Sequence, residues 1–385
     1  MVRQAHHEGC QGITTGTSMM HALVVGGTGP TGPFIVNGLR RRGYKVAIFH
    51  RGTHEIPEIP DDVEHIHGDP HFAETIDAAL GGRTFDLTIA TYGRLRLLAT
   101  ALAGKTGRFI GIGGYAAYRG WVDPYALSPP GMTSPVPEEA PVVASEAEQR
   151  FAWLIAETER VVLERHPTGT VFRYPYVYGP YQLRPREWSV IRRLLDGRRE
   201  IILPQHGLSL STHGWAGNLG HAVLLAVDKP GVAAGRTYNC GDLEQLTLGQ
   251  IAEVIARTMD REIEIIPVPY DVAGTHKAMV LTPLGHQLLD LTRIRTELGY
   301  RDVLGVREAL DRTVRWYVDH PPARGGDIER ALGDPFDYAA EDRLIAAYRT
   351  GLDLLRDATE TVPEIAWHPY AHPREAGKRR DQRGR

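Results

Sequence analysis

The residues that state a chemical job most directly are Gly26, Gly29 and Gly32, in the run Gly26-Gly27-Thr28-Gly29-Pro30-Thr31-Gly32. Glycine at this spacing keeps a turn tight, lets backbone N–H groups approach a pyrophosphate, and lets the following helix pack close to the preceding strand. The run sits in the context such chemistry requires. The apolar stretch 22–25 before it predicts a buried parallel strand, and apolar residues over 34–39 recur at helical spacing after it. A second strand is expected over 45–49, beyond Gly43. The helix N-terminus then faces the phosphates of a bound dinucleotide. Many such folds place an acid about 20 residues past the glycines to bind the ribose 2′-hydroxyl. This chain has His50 and Arg51 there instead. A guanidinium suits a 2′-phosphate, which favours NADP over NAD; a solvated charge at a strand end is the plain alternative.

The elements that must hold this turn repeat along the chain. Strands are expected over 63–67, 85–90, 108–112 and 170–173, and helices over 72–80, 95–103 and 145–165. The last helix opens on Ser145 and Glu148, the pattern of a capping box. Alternating strands and helices with no internal repeat imply an α/β fold with a Rossmann-type doubly wound parallel sheet. The third strand ends in Gly68-Asp69, where Asp69 either accepts a hydrogen bond from an adenine amino group or caps the next helix. Residues 123–141, rich in Pro, Ser and Gly, read as a long loop of the kind that covers active sites. A smaller C-terminal α/β lobe follows, starting with a helix over 184–195 whose Arg184, Arg186, Arg192 and Arg193 read as a solvated face. Asn218 and His221, on a helix over 217–227, are expected near its pocket.

The resulting division has a disordered segment over 1–19, a dinucleotide-binding domain over 20–180 to which later segments return, and a substrate lobe over 181–320. A helical extension over 321–365 and a disordered basic tail over 366–385 complete it. The 385 residues, 42% hydrophobic and 24% charged, suffice for a large core. A net charge of −3 argues against a nucleic-acid binder. Cys10 and Cys240 cannot make a disulfide framework, and no signal peptide or apolar run of about 18 residues is present, so a cytoplasmic protein without membrane contact is expected. His276, His286 and Asp290 lack specific ligand spacing, and no metal is expected.

The glycine turn, the Gly68-Asp69 pair and Arg173-Tyr174-Pro175-Tyr176-Val177-Tyr178-Gly179-Pro180, in this order, resemble an extended short-chain dehydrogenase/reductase, the group containing the sugar-nucleotide epimerases and dehydratases. The resemblance runs over residues 20–320. The Phe49-His50-Arg51-Gly52 turn and residues 188–204 are most similar to the branch of the chloroplast stem-loop binding proteins and their bacterial relatives, which raises RNA binding as an alternative. The resemblance implies Pro175 and Val177 near the nicotinamide amide, and Ala90, Thr91 and Tyr92 along the cofactor. It implies a diphosphate grip as a second use for the arginines of the substrate lobe, and a homodimer through the helices that begin at Leu95 and Ser145.

The family handles protons with a Ser or Thr after the fifth strand and a Tyr-x-x-x-Lys pair on the next helix, where the Lys lowers the Tyr pKa. Matching the segments places Gly114, Phe151 and Ile155 at these positions. Residues 151–165 contain neither Tyr nor Lys, so the dyad is absent from that helix. Three readings follow: an oxidoreductase using other groups, a redox-neutral isomerase, lyase or cyclase, or a dinucleotide-responsive binding protein. For an enzyme acting on a small hydroxyl- or carbonyl-bearing metabolite, the candidate proton-handling residues are Tyr115, Tyr118, Tyr176 and His213. Histidine titrates near neutrality, whereas an ordinary tyrosine near pH 10 is a poor base.

Overall fold

The strand that the glycine turn needs is β1, His21–Val25, whose last four residues are fully buried. The computed structural model describes residues 19–91, 93–279, 283 and 285–359. Cys10, Tyr92, most of the expected N-terminal segment and the basic tail lie outside these residues.

After the turn come α1 (Gly32–Arg41), β2 (Lys45–His50), β3 (Glu64–His67), α2 (Ala73–Leu80), β4 (Phe85–Ala90), α3 (Leu95–Ala101) and β5 (Thr106–Gly114). Helix α4 (Arg150–Arg165), β6 (Thr170–Tyr174), β7 (Tyr176–Tyr178), α5 (Arg186–Leu195), β8 (Glu200–Ile202) and β9 (His213–Trp215) follow. Next are α6 (Ala216–Asp228), α7 (Pro230–Ala233), β10 (Arg236–Asn239), α8 (Leu248–Thr258), β11 (Glu264–Ile266) and α9 (Tyr270–Ala273). Helices α10 (Val306–Asp319) and α11 (Asp327–Leu332) end the first compact unit, and α12 (Tyr338–Thr359) belongs to a second unit that begins at Asp337.

Seven parallel strands form one sheet in the order β10-β6-β5-β4-β1-β2-β3, so the expected α/β doubly wound architecture is present. The period-2 alternation of a strand splits β1 between two cores. Ala22 and Val24 join Ile35, Val36, Leu219 and Val223 beneath α1 and α6, while Leu23 and Val25 join Ile76, Leu98 and Val162 beneath α2, α3 and α4. A Cβ at Gly38 would stand 2.2 Å from Leu224 Cδ1, so α1 and α6 approach one another as only glycine permits. A third core around Trp188, Ile191, Leu248, Ile251, Leu310 and Leu332 builds the smaller lobe. Through Leu332, helix α11 is part of that lobe's interior and not an appendage to it.

Two local expectations need correction. Helix α4 starts at Arg150, five residues later than its capping-box pattern suggests. The Glu148 carboxylate is held by Arg119 at 2.5 Å and by the Ala144 N–H, so it cannot return to Ser145. Gln149 caps instead, accepting from the Ala152 N–H at 2.7 Å. The arginines of α5 are not a solvated face either: every residue from Arg186 to Leu194 is buried. Arg193 is 0% exposed and pairs with Asp334 at 2.6 Å, and Arg192 bonds to Asp196 and Glu329 at 2.8 and 2.6 Å.

Candidate active site at the carboxyl edge of the sheet

In a doubly wound sheet, ligands bind outside the carboxyl ends of the strands where the strand order reverses, here between β1 and β4. A cleft of about 570 Å³ opens there, within the size range of cofactor sites. Gly26, Thr28, Gly29, Pro30 and Thr31 line it from the turn, His50 and Arg51 from the end of β2, Thr91 from the end of β4, and Val177 from β7. Tyr181, Trp316, Tyr317 and Pro321 supply the facing apolar wall.

The turn fits a pyrophosphate. A Cβ at Gly29 would meet nothing within 4 Å, which leaves its backbone open to a ligand. A Cβ at Gly32 would stand 2.0 Å from the Gly27 carbonyl oxygen, so Gly32 allows the turn to fold back onto α1. Gly26 and Gly27 hold φ near 98° and 90°, the left-handed region that glycine tolerates. Gly32 and Ala90 are buried behind this surface, and they and Pro175 are not on the cleft wall. Asp69 is turned to His71, accepting from its backbone N–H at 3.0 Å and its ring at 2.7 Å, which holds the carboxyl below its ordinary range.

The positions matched to the proton-handling trio lie at the carboxyl end of β5 and along α4. A Cβ built on Gly114 would meet only Ile155 Cδ1, at 4.0 Å. Phe151, one turn earlier, is 59% exposed. Beside this apolar gap lies a polar cluster built by the turn after β5, by β7, by α5 and by β9. Arg186 donates from Nη2 to His213 Nε2 at 2.5 Å, and its guanidinium carbon lies 3.6 Å from the Tyr176 ring centre. His213 Nδ1 donates to the Ser211 carbonyl, which fixes the neutral tautomer. Burial, and then the Arg186 charge, push the His213 pKa well below its ordinary value. The Tyr176 hydroxyl accepts from the Arg186 N–H at 2.5 Å and donates to the Arg184 carbonyl. Tyr115 packs on Trp121 with ring centres 4.2 Å apart; burial raises its pKa while Arg186 and Trp121 oppose the rise.

Tyr118 is elsewhere. It is fully buried with Trp121, Val136 and Leu289, is stacked under Arg173 at 4.5 Å, and donates to Asn239 Oδ1 at 2.8 Å. The structure therefore brings Tyr115, Tyr176 and His213 around Arg186 and leaves Tyr118 in the core. Sequence reasoning missed Glu187, which is 1% exposed, with Oε2 lacking any hydrogen-bond partner. Burial pushes its carboxyl up to about 7 against the pull of Arg186. The available signal was Arg186-Glu187-Trp188, an opposite-charge pair beside a tryptophan at the start of a helix. Asn218 and His221 are also away from the cleft: Asn218 is buried and bonds to Asp242 at 2.8 Å, and His221 lies against Tyr300.

No family model matches the chain. Among curated proteins it is 27% identical to the dTDP-glucose 4,6-dehydratase of Streptomyces niveus, over 69% of this chain and 75% of that protein. It is also 27% identical to the uncharacterized protein YbjS of Escherichia coli, over 39% of this chain and half of that protein's length. Among solved structures it superposes on the dTDP-glucose 4,6-dehydratase of Bacillus anthracis in complex with NAD, with TM-score 0.60 and 18% identity over 78% of this chain and 97% of that one. This is the fold of the extended short-chain dehydrogenases/reductases. The buried Arg173–Glu159 pair, at 2.8 Å, ties β6 to α4. Among the described residues, no helix is long and apolar enough to cross a membrane.

Proposed function

We propose that this protein binds a nicotinamide dinucleotide in the β1–β4 cleft and is an enzyme acting on a small hydroxyl- or carbonyl-bearing metabolite. The observation that carries the reading is the cleft itself, in which an open Gly29, the α1 N-terminus, Arg51 and Thr91 converge at the switch point of the sheet. The relatives named as dehydratases and the NAD complexes support both the cofactor class and a polyhydroxylated substrate. NADP is favoured over NAD because Arg51 reaches the cleft where a 2′-phosphate would need a guanidinium.

When bound, the dinucleotide supplies hydride acceptance and return. The chain's own residues divide the remaining work. Tyr115, adjacent to Gly114, is the candidate to donate a proton to substrate oxygen: burial raises its pKa, and the Arg186 charge only partly offsets that rise. His213 and Tyr176 hold the Arg186 guanidinium in place. Glu187, buried beside Arg186 with its carboxyl pushed up to about 7, is the chain's candidate proton acceptor near neutral pH. Absorbance at the reduced-nicotinamide band during turnover separates an oxidoreductase from a redox-neutral isomerase or lyase: a net change defines the first, and conversion without a change defines the second. The bare Gly114–Ile155 gap favours one competing reading, a dinucleotide-responsive binding protein, which gains if cofactor binds and no hydroxylated or carbonyl metabolite is converted. We further assign a homodimer through α3 and α4, on whose surface Phe151 stands exposed; sedimentation as a monomer contradicts it.

A further inference from the structure

We propose that His50, Glu55, His65 and His67 form a zinc-class divalent metal site that fastens the loop after β2 to the edge of the sheet. The strand register assembles it. His65 and His67 are two apart on β3 and so share one face, and His50 on β2 is the in-register neighbour of His67. Glu55 comes back over these three from the loop that leaves β2. His50 Nε2 lies 3.1 Å from His65 Nδ1 and 3.7 Å from a Glu55 oxygen; Glu55 lies 3.2 Å from His65 Nδ1 and 3.9 Å from His67 Nε2. All four donor atoms fall within 4.8 Å of one another. A tetrahedral ion with bonds of about 2.0–2.1 Å holds its donors roughly 3.3 Å apart, so the cluster needs only small side-chain adjustments to close on one.

The chemistry of the set selects the metal. Three imidazoles and one carboxylate match zinc and its transition-metal neighbours, and not calcium or magnesium, which require oxygen. Four protein donors make a closed, structural site with no position left for substrate. The location gives it a use: Thr53, His54, Glu55 and Ile56 form one wall of the dinucleotide cleft, and an ion pinning Glu55 would hold that wall in position. Ligation through Nε2 puts the His50 ring proton on Nδ1, which gives up the long 3.3 Å contact from the Gly52 N–H.

The test uses the full-length chain without an affinity tag, purified without chelator, with metal measured by inductively coupled plasma mass spectrometry. One zinc ion per chain is expected, lost in the His65→Ala/His67→Ala double variant while its far-UV circular dichroism stays native. Cobalt(II) added to the chelator-treated wild type should give the ligand-field absorption of a tetrahedral site, and His67→Ala alone should weaken cobalt binding more than about tenfold. Zinc that persists in the double variant would overturn the assignment and place the metal elsewhere, for instance on His6 and His7. A folded wild type that takes up neither zinc nor cobalt would also overturn it. None of these readouts requires cofactor binding or turnover.

Discussion

The glycine turn and the polar cluster around Arg186 lie at the same edge of the sheet but are built in different ways. The turn is local: seven consecutive residues place Gly29 open to the cleft and Gly32 against Gly27. The cluster is assembled from afar: Tyr176 and His213 contact the Arg186 guanidinium, and Tyr115, packed on Trp121, lies within reach of its charge. Binding a dinucleotide needs backbone shape, which a short sequence encodes by itself. Handling a proton needs side chains whose ionisation depends on burial and on distant neighbours. The first region keeps a familiar shape, and the second is proposed to take over the proton handling that a helix-borne dyad would supply.

Gly32→Val should break that comparison most severely. Its side chain would begin 2.0 Å from the Gly27 carbonyl, so dinucleotide binding should be lost and stability should fall by about 3 kcal/mol or more, read by calorimetry and thermal melting. Gly29→Ala, with nothing within 4 Å, should fold normally and weaken only binding. In the lobe behind the cluster, Arg193→Ala leaves Asp334 buried and unpaired and should cost about 3–5 kcal/mol in chemical denaturation. A solvated arginine would cost almost nothing.

Glu187 sharpens the comparison through pH. Its folded pKa, about 7, lies above its ordinary value of 4.5, so the native state binds the proton more tightly than the unfolded chain does. The stability it contributes is fully present below about pH 4.5 and is lost as pH rises through 7, a change on the order of 3 kcal/mol. Glu187→Gln should flatten that part of the stability profile and remove the matching limb of the rate profile. Tyr118→Phe is a smaller perturbation: it leaves Asn239 Oδ1 without its donor and should cost roughly 1–2 kcal/mol with the turnover rate unchanged. Phe151→Ala should change monomer stability by less than about 0.5 kcal/mol, because the side chain is 59% exposed.

What could be read from the residues follows the same division. Strands β1 to β6 of the sheet and the span of α1 were legible because apolar periodicity and glycine spacing are local properties. The start of α4 was not, because Glu148 is diverted to Arg119, far back in the chain. The burial of Arg192 and Arg193 was hidden because their acidic partners, Glu329 and Asp334, come from a segment beyond the apparent end of the lobe. The histidine cluster was equally invisible, since His50 and His67 become neighbours only through the parallel register of β2 and β3. Of the candidate tyrosines, sequence position singled out Tyr115 and Tyr118 alike. Only the fold separates the one beside Arg186 from the one sealed against Asn239.

The most direct test of the account is isothermal titration of the purified chain with NADP and with NAD. Saturable binding of one dinucleotide per chain is predicted, tighter for NADP and reduced toward the NAD affinity by Arg51→Ala. Absence of binding by both dinucleotides to folded protein would contradict the account at its base.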